Sequence, residues 1–269
     1  MLFSLARAAY FSCCSLVLAG SVNAPPTRGL SAESTAFETA QLRHPELRPA
    51  ERLPAYLRRD FGPLWTQTDE ASVVGFIGPA YQRLEAKVLT ATRSSTDPAQ
   101  YVLTGKTRTA GTVRSFTGTV RLVRLREATP RPHIGGGDDR LPVGTQEGVV
   151  VGHYTFSEPT QQAKTGMFRG VVITRWYVDG RGRLRYNNAD LSSDDFSNNQ
   201  FVGTWTSYAT GRASRCNWGD YRVPNAGPLD IGAGEFSPDP KYYAAGWKTY
   251  AAAQPPKSSR TALTKPWWK

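Results

Sequence analysis

Cysteine is nearly absent: the 269-residue sequence has three cysteines, three histidines and two methionines. Cys13 and Cys14 fall in an apolar leader, which leaves Cys216 alone in the rest of the chain. One thiol cannot form an internal disulfide, so the fold must hold by its core. A catalytic cysteine would need a base, and of His44, His133 and His153 only the last lies in a clear strand pattern. No His/Cys set has zinc-ligand spacing, and no metal or cofactor is expected. Long apolar runs are missing too: beyond the leader nothing approaches the roughly 20 residues of a membrane-spanning helix. Acidic residues are outnumbered 22 to 33 by Lys and Arg, giving a formal charge of +11.

The leader itself sets an expectation about compartment. Arg7 precedes the uncharged run "AAYFSCCSLVLAG", and "SVNA" places Val22 and Ala24 at the −3 and −1 positions of a cleavage site. This is the layout of a signal peptide over residues 1–24. Tyr10, Phe11 and Ser12 are not the approach that lipidation of Cys13 requires, so a soluble periplasmic or secreted protein is expected rather than a lipoprotein.

Residues 25–45 show no sustained period and read as an irregular lead-in. In "RPAERLPAYLRRDFG" a short helix begins near Pro54, with Leu53, Tyr56 and Leu57 on one side. From residue 81 the period changes to two. "RLEAKVLTAT" and "YVLTGKTRT" alternate, and "TVRSFTGTVRLVRLRE" puts Phe116, Gly118, Val120 and Leu122 on one face before a phase shift near Val123 that predicts a bulge. "GVVVGHYTF", "GMFRGVVITRWYV", "RLRYN", "QFVGTWTSYAT" and "GRASRCNWGDYRVP" continue the series, with "DGRG" as a hairpin turn. About eight strands in order, with helical signal only at the edges, predict a mainly β protein: an antiparallel up-and-down barrel, with a β-sandwich as the alternative. The division is a signal peptide (1–24), an N-terminal extension (25–72), a barrel domain with its closing segment (73–247) and a basic tail (248–269) carrying Trp267 and Trp268.

Several loops invite a chemical reading. His133, Asp138 and Asp139 share the Gly/Pro-rich loop 128–147, and Asp190, Asp194, Asp195 and Asn198 share an oxygen-rich one, but neither has metal-ligand spacing. Residues 215–239, "RCNWGDYRVPNAGPLDIGAGEFSPD", gather Asp220, Asp230 and Glu235, which are candidate acid and base for hydrolysis if they converge. The alternative is structural: "NWGD", "PNAGP" and "DIGAGE" as successive turns, pinned to the barrel by Trp218, Tyr221, Ile231 and Phe236. Trp218, Tyr221 and Trp176 are the candidate ligand-binding aromatics.

The blocks "GFIGPAYQRLEAKV", "GKTRT", "SFTGTV", "FVGTWTSY", "CNWGDYRVPN" and "LDIGAGEFSPD" resemble those of an uncharacterised family of exported bacterial proteins, over residues 73 to 247. The resemblance implies export and carries no catalytic residues. "GTW" (Gly203 to Trp205) resembles the Gly-x-Trp element of lipocalin and avidin-type (calycin) barrels, although there it lies in the first strand; the resemblance implies a structural Trp205.

Charge is uneven: residues 81–131 hold ten Lys/Arg against three acids, and residues 186–240 three Arg against seven acids. A basic face suits anionic glycans or lipids; without an aromatic-basic motif, nucleic acid is not expected. The leading expectation is a non-catalytic barrel binding a small or extended ligand, a small molecule, lipid or glycan, in its mouth. Alternatives are a hydrolase using the 215–239 carboxylates and an envelope-interaction protein using the Arg-rich strands and tail.

Overall fold

A computed structural model describes residues 29–67, 73–129, 141–142, 144–191, 193, 195–252 and 267–269. The leader, His133, Asp138, Asp139 and Asp194 lie outside the described residues.

The alternating segments become nine strands: β1 (Val73–Ile77), β2 (Gln82–Arg93), β3 (Gln100–Thr109), β4 (Thr112–Glu127), β5 (Glu147–Ser157), β6 (Gly166–Val178), β7 (Leu184–Tyr186), β8 (Asn198–Ser207) and β9 (Ala213–Asp220). Consecutive antiparallel pairing runs from β1 to β6, then β6 to β8 to β9, and β9 returns to β1, so eight strands close a barrel. The membership differs from the sequence expectation at one strand. Leu184–Tyr186 stays outside the ring, because β6 is long enough for two partners: Gly166–Ile173 pair with β8, and the overhanging Trp176–Val178 take β7. Its place is filled by β1, whose five residues centred on Gly75 are too short to show a period. The expected bulge is present, as a register shift between Leu122 and Arg124.

Inward-facing side chains fill the ring. Leu84, Leu103, Phe116, Val120, Tyr154, Phe156, Phe168, Val172, Trp176, Phe201 and Trp218 belong to one buried cluster. The glycines that alternate with them make room for rings. Gly170 and Gly203 face each other across β6 and β8, and a Cβ on either would lie 2.8 or 2.5 Å from the Tyr154 hydroxyl. A Cβ on Gly105 would lie 2.2 Å from Phe116. Small wall residues under large rings let the rings of a narrow barrel pack closely.

The flanking segments complete the core. Residues 25–45, expected to be irregular, contain α1 (Ala32–Leu42), capped by Ser31, whose side chain accepts from the Ser34 amide. The helix buries little besides Ser34 and Phe37, which explains the missing period. Phe37 covers the outer-face residues Val149, Val151, Val171, Ile173 and Val202. Two short helices, α2 (Leu53–Tyr56) and α3 (Pro63–Thr66), each start with a proline in the first turn, as the Pro54 signal anticipates for α2. They insert Leu53, Tyr56, Phe61, Leu64 and Trp65 into the barrel cluster as a plug. On the opposite flank, Val223, Ala226, Leu229, Phe236 and Trp247 pack on outward Val74 and Phe76 of β1. A 3-10 turn, Pro240–Ala245, is capped by Asp239, and α4 (Lys248–Ala252) follows.

Candidate functional site

The closed ring directs attention first to its two ends. At the plugged end a chain of buried polar groups ties α3 to the strands. Trp65 donates its indole N–H to Thr174 Oγ1 (3.1 Å), Thr174 donates to Asn199 Oδ1 (2.8 Å), and the Asn199 amide donates to the Leu64 carbonyl (2.8 Å) and to Asp220 Oδ2 (3.0 Å). Tyr186 donates its hydroxyl to the same Asp220 oxygen at 2.9 Å. Asp220 is buried, so its carboxylate is the acceptor on which this network ends. β7 thus has a role outside the ring: it brings Tyr186 to Asp220.

The other end is closed around Glu158, which sequence reading did not single out. Its carboxylate accepts from Trp205 Nε1 (3.0 Å), the Gly166 amide (3.0 Å) and Thr107 Oγ1 (3.2 Å), while its own amide donates to the Gly166 carbonyl. These bonds draw the β5–β6 connection across the opening. Burial raises the Glu158 pKa above the ordinary carboxylate value, and its three donors offset only part of that effect. The signal was thin: an acid directly after a strand, in "FSEPT", looks like any loop residue. Trp205 is accordingly structural, as the Gly-x-Trp resemblance implies. Cys216 lies inside the barrel with its thiol pKa pushed well up by burial, whereas His153 is bonded to Glu38 of α1 at 2.9 Å.

The sequence-derived candidates therefore separate. Asp220 belongs to the interior network. Asp230 pairs with Arg222 (2.8 Å) and accepts the amides of Gly232 and Ser237, closing a turn. Glu235 is half-buried in the same segment. Asp220 and Asp230 thus answer to different partners, one inside the ring and one in the closing segment. Trp218, stacked on Phe201 at 4.6 Å and 11°, and Trp176, 4.8 Å from Tyr56, are core residues rather than a ligand-facing pair. Tyr221 turns at φ 67° and packs edge-on to Phe196. "NWGD" is the end of β9 rather than a turn, and Ile231, at 59% exposure, pins nothing. Phe236 does anchor the closing segment, as expected. Asn198 bonds the Arg175 backbone rather than standing as a calcium ligand.

One surface open to a ligand lies outside the ring, on the outward face of β2 and β3. The register sets Lys87 beside Lys106 and Glu85 beside Arg108. Arg108 grips Glu85 through Nε (2.5 Å) and Nη2 (2.6 Å), and Arg83 reaches the same carboxylate at 3.1 Å. Trp267 and Trp268 sit on this face: the Arg108 guanidinium lies 5.1 Å from the Trp267 ring centre, Lys87 5.6 Å from that of Trp268, and Lys106 donates to the Trp268 carbonyl at 2.6 Å. Lys87, in a position that normally faces solvent, is buried. A half-open cleft of about 340 Å³ lies at the edge of this face, lined by Gln82, Arg83, Glu85, Arg108, the Ala110–Gly111 turn, Gly246 and Thr249. Among the described residues no group of His, Cys, Asp or Glu is disposed to hold a metal ion, and no helix is long and apolar enough to cross a membrane.

Fold and site together describe a closed, filled β-barrel with a basic, aromatic-bearing outer face. No protein-family model, curated protein or solved structure matches the chain.

Proposed function

We propose that this chain is an exported, non-catalytic binding module that takes anionic ligands on the outside of its barrel, across β2 and β3. The observation that carries this reading is the juxtaposition of Arg83, Lys106 and Arg108 on two adjacent strands, with the Glu85 carboxylate shared between the two arginines. A surplus of cations fixed on a rigid sheet offers an oriented positive field, and arginine forks match carboxylate and sulfate groups. The barrel interior is a poor alternative: its rings occupy the space above the wall glycines, and both ends are tied shut. The hydrolase reading has little support, because Asp220 and Asp230 are already engaged by separate partners. Acidic envelope glycans are the partner class this reading favours, and export rests on the leader and on the resemblance of the 73–247 blocks.

Retention of the chain on immobilised polygalacturonate, with neutral dextran as control, tests it. Binding should be strong at about 0.01 M salt, where the screening length is roughly 30 Å, and should fall steeply by about 0.15 M, where it is near 8 Å. Equal retention on dextran, or binding indifferent to salt, would remove the proposal.

A further inference from the structure

We infer that the cleft beside the β3–β4 turn, on the outer face of β2 and β3, is a site for a small hydroxylated monoanion, a uronic acid or similar carboxylated sugar, clamped by Arg83 and Arg108. The inference rests on the outer-face reading and gives it a specific pocket. Charge supplies the first argument. Two guanidiniums share one carboxylate, so the Arg83–Glu85–Arg108 group keeps one positive charge, the complement of one carboxylate on a ligand.

Donor arithmetic supplies the second. A guanidinium has five N–H donors. Arg108 spends Nε and Nη2 on Glu85; Arg83 spends Nη2 on Glu85 and Nη1 on Thr249. Arg108 Nη1 and Arg83 Nε have no acceptor among the described residues. Both guanidiniums are already held in place: Arg83 lies 5.3 Å from the Tyr250 ring centre and Arg108 5.1 Å from that of Trp267. Preorganised forks lose less freedom when a ligand arrives.

Size and lining supply the third. About 340 Å³ falls at the small end of the range for small-molecule sites, roughly 300–1,000 Å³. Ala110, Gly111 and Gly246 keep the walls low, while Gln82 and Thr249 add amide and hydroxyl groups suited to sugar hydroxyls. The turn can be so tight because Ala110 and Gly111 both adopt positive φ, 48° and 78°, as a two-residue hairpin loop requires.

The test is calorimetric titration of the full chain with glucuronate, glucose being the neutral control. Glucuronate should bind one per chain and glucose should not. R108Q should weaken glucuronate at least about tenfold, the loss expected for one charge-assisted hydrogen bond. E85Q should strengthen it severalfold, because the competing carboxylate is gone; a merely structural Glu85 would give no gain. If R108Q fails to fold, R108K keeps the charge, loses the fork, and should weaken binding in the same direction. Absence of glucuronate binding with polygalacturonate retention intact overturns the pocket and leaves the outer-face reading standing. Loss of both overturns both. Equal affinity for glucose and glucuronate, or no change in R108Q and E85Q, also overturns the pocket.

Discussion

Asp220→Ala separates a structural carboxylate from a catalytic one. The side chain is buried, and one of its oxygens accepts from Tyr186 and Asn199 at 2.9 and 3.0 Å. Hydrogen bonds to a charged group contribute about 1.5–3 kcal/mol each, and removal also strands the two donors. These losses overlap, because Asn199 keeps its bonds to Leu64 and Thr174. A total of about 3–5 kcal/mol is therefore expected, somewhat less than two such hydrogen bonds at their upper value. For a chain of this size, about 1 kcal/mol moves Tm by roughly 2–4 °C, so a fall of about 6–20 °C should be seen. Urea unfolding followed by tryptophan fluorescence is the assay, since Trp65 and Trp218 both sit in the core that Asp220 helps to seat. A cycle with Tyr186→Phe should return a coupling of about 0.5–3 kcal/mol, as for contacting residues. The reasoning fails if Asp220→Ala stays within about 0.5 kcal/mol of the parent, the range of an ordinary surface change.

Two further outcomes test the filled barrel. Glu158→Gln keeps acceptors for Trp205 and Gly166 and removes the buried charge. Because the folded pKa is raised, the wild-type penalty is absent below the unfolded value of 4.5 and grows as pH rises through the folded one. The variant should therefore gain on the wild type in urea midpoint as pH increases from acid to neutral, and a flat or opposite trend would refute the assignment. Gly203→Ala should lose at least about 2 kcal/mol, an overpacking cost, since its Cβ would lie 2.2 Å from the Arg169 carbonyl oxygen. An unchanged unfolding midpoint would show that the Tyr154 ring does not rest on that wall.

The barrel was legible because its strands are long and one-sided. Residues 112–127 state both the inward set and the bulge in the spacing of Phe116, Val120, Leu122 and Leu125. β1 was not legible, since five residues cannot display a period, and β7 was misplaced because strand length alone does not tell which neighbour β6 keeps. α1 escaped for a related reason: a helix that rests on a sheet mainly through Phe37 and Ser34 needs no apolar stripe. The candidate aromatics are taken up by packing: Trp176 and Trp218 belong to the buried cluster and Tyr221 rests on Phe196. The β2–β3 site was half-visible, in the excess of Arg and Lys over residues 81–131. What linear order hides is that Tyr250 and Trp267 return from the other end of the chain to lie against those arginines.

The seam where β1 meets β9 has a kinetic consequence. It joins Val73 to Asp220 and Ile77 to Cys216 through five residue pairs, whereas the β5–β6 hairpin is sewn by eleven. Contacts so distant along the chain close late and slowly, after the hairpins have formed. Within the ring the β1–β2 pairing is shorter still, with three pairs, and the seam is clasped from outside: Glu33 of α1 bonds Arg215 and Asn217 on β9 and Asn225 beyond it. β1 is thus the strand that closes the barrel last and the one held by the fewest pairs on both sides. Amide hydrogens of Val73–Ile77 should exchange with solvent before those of β5 and β6, and sooner still once Glu33 lets go.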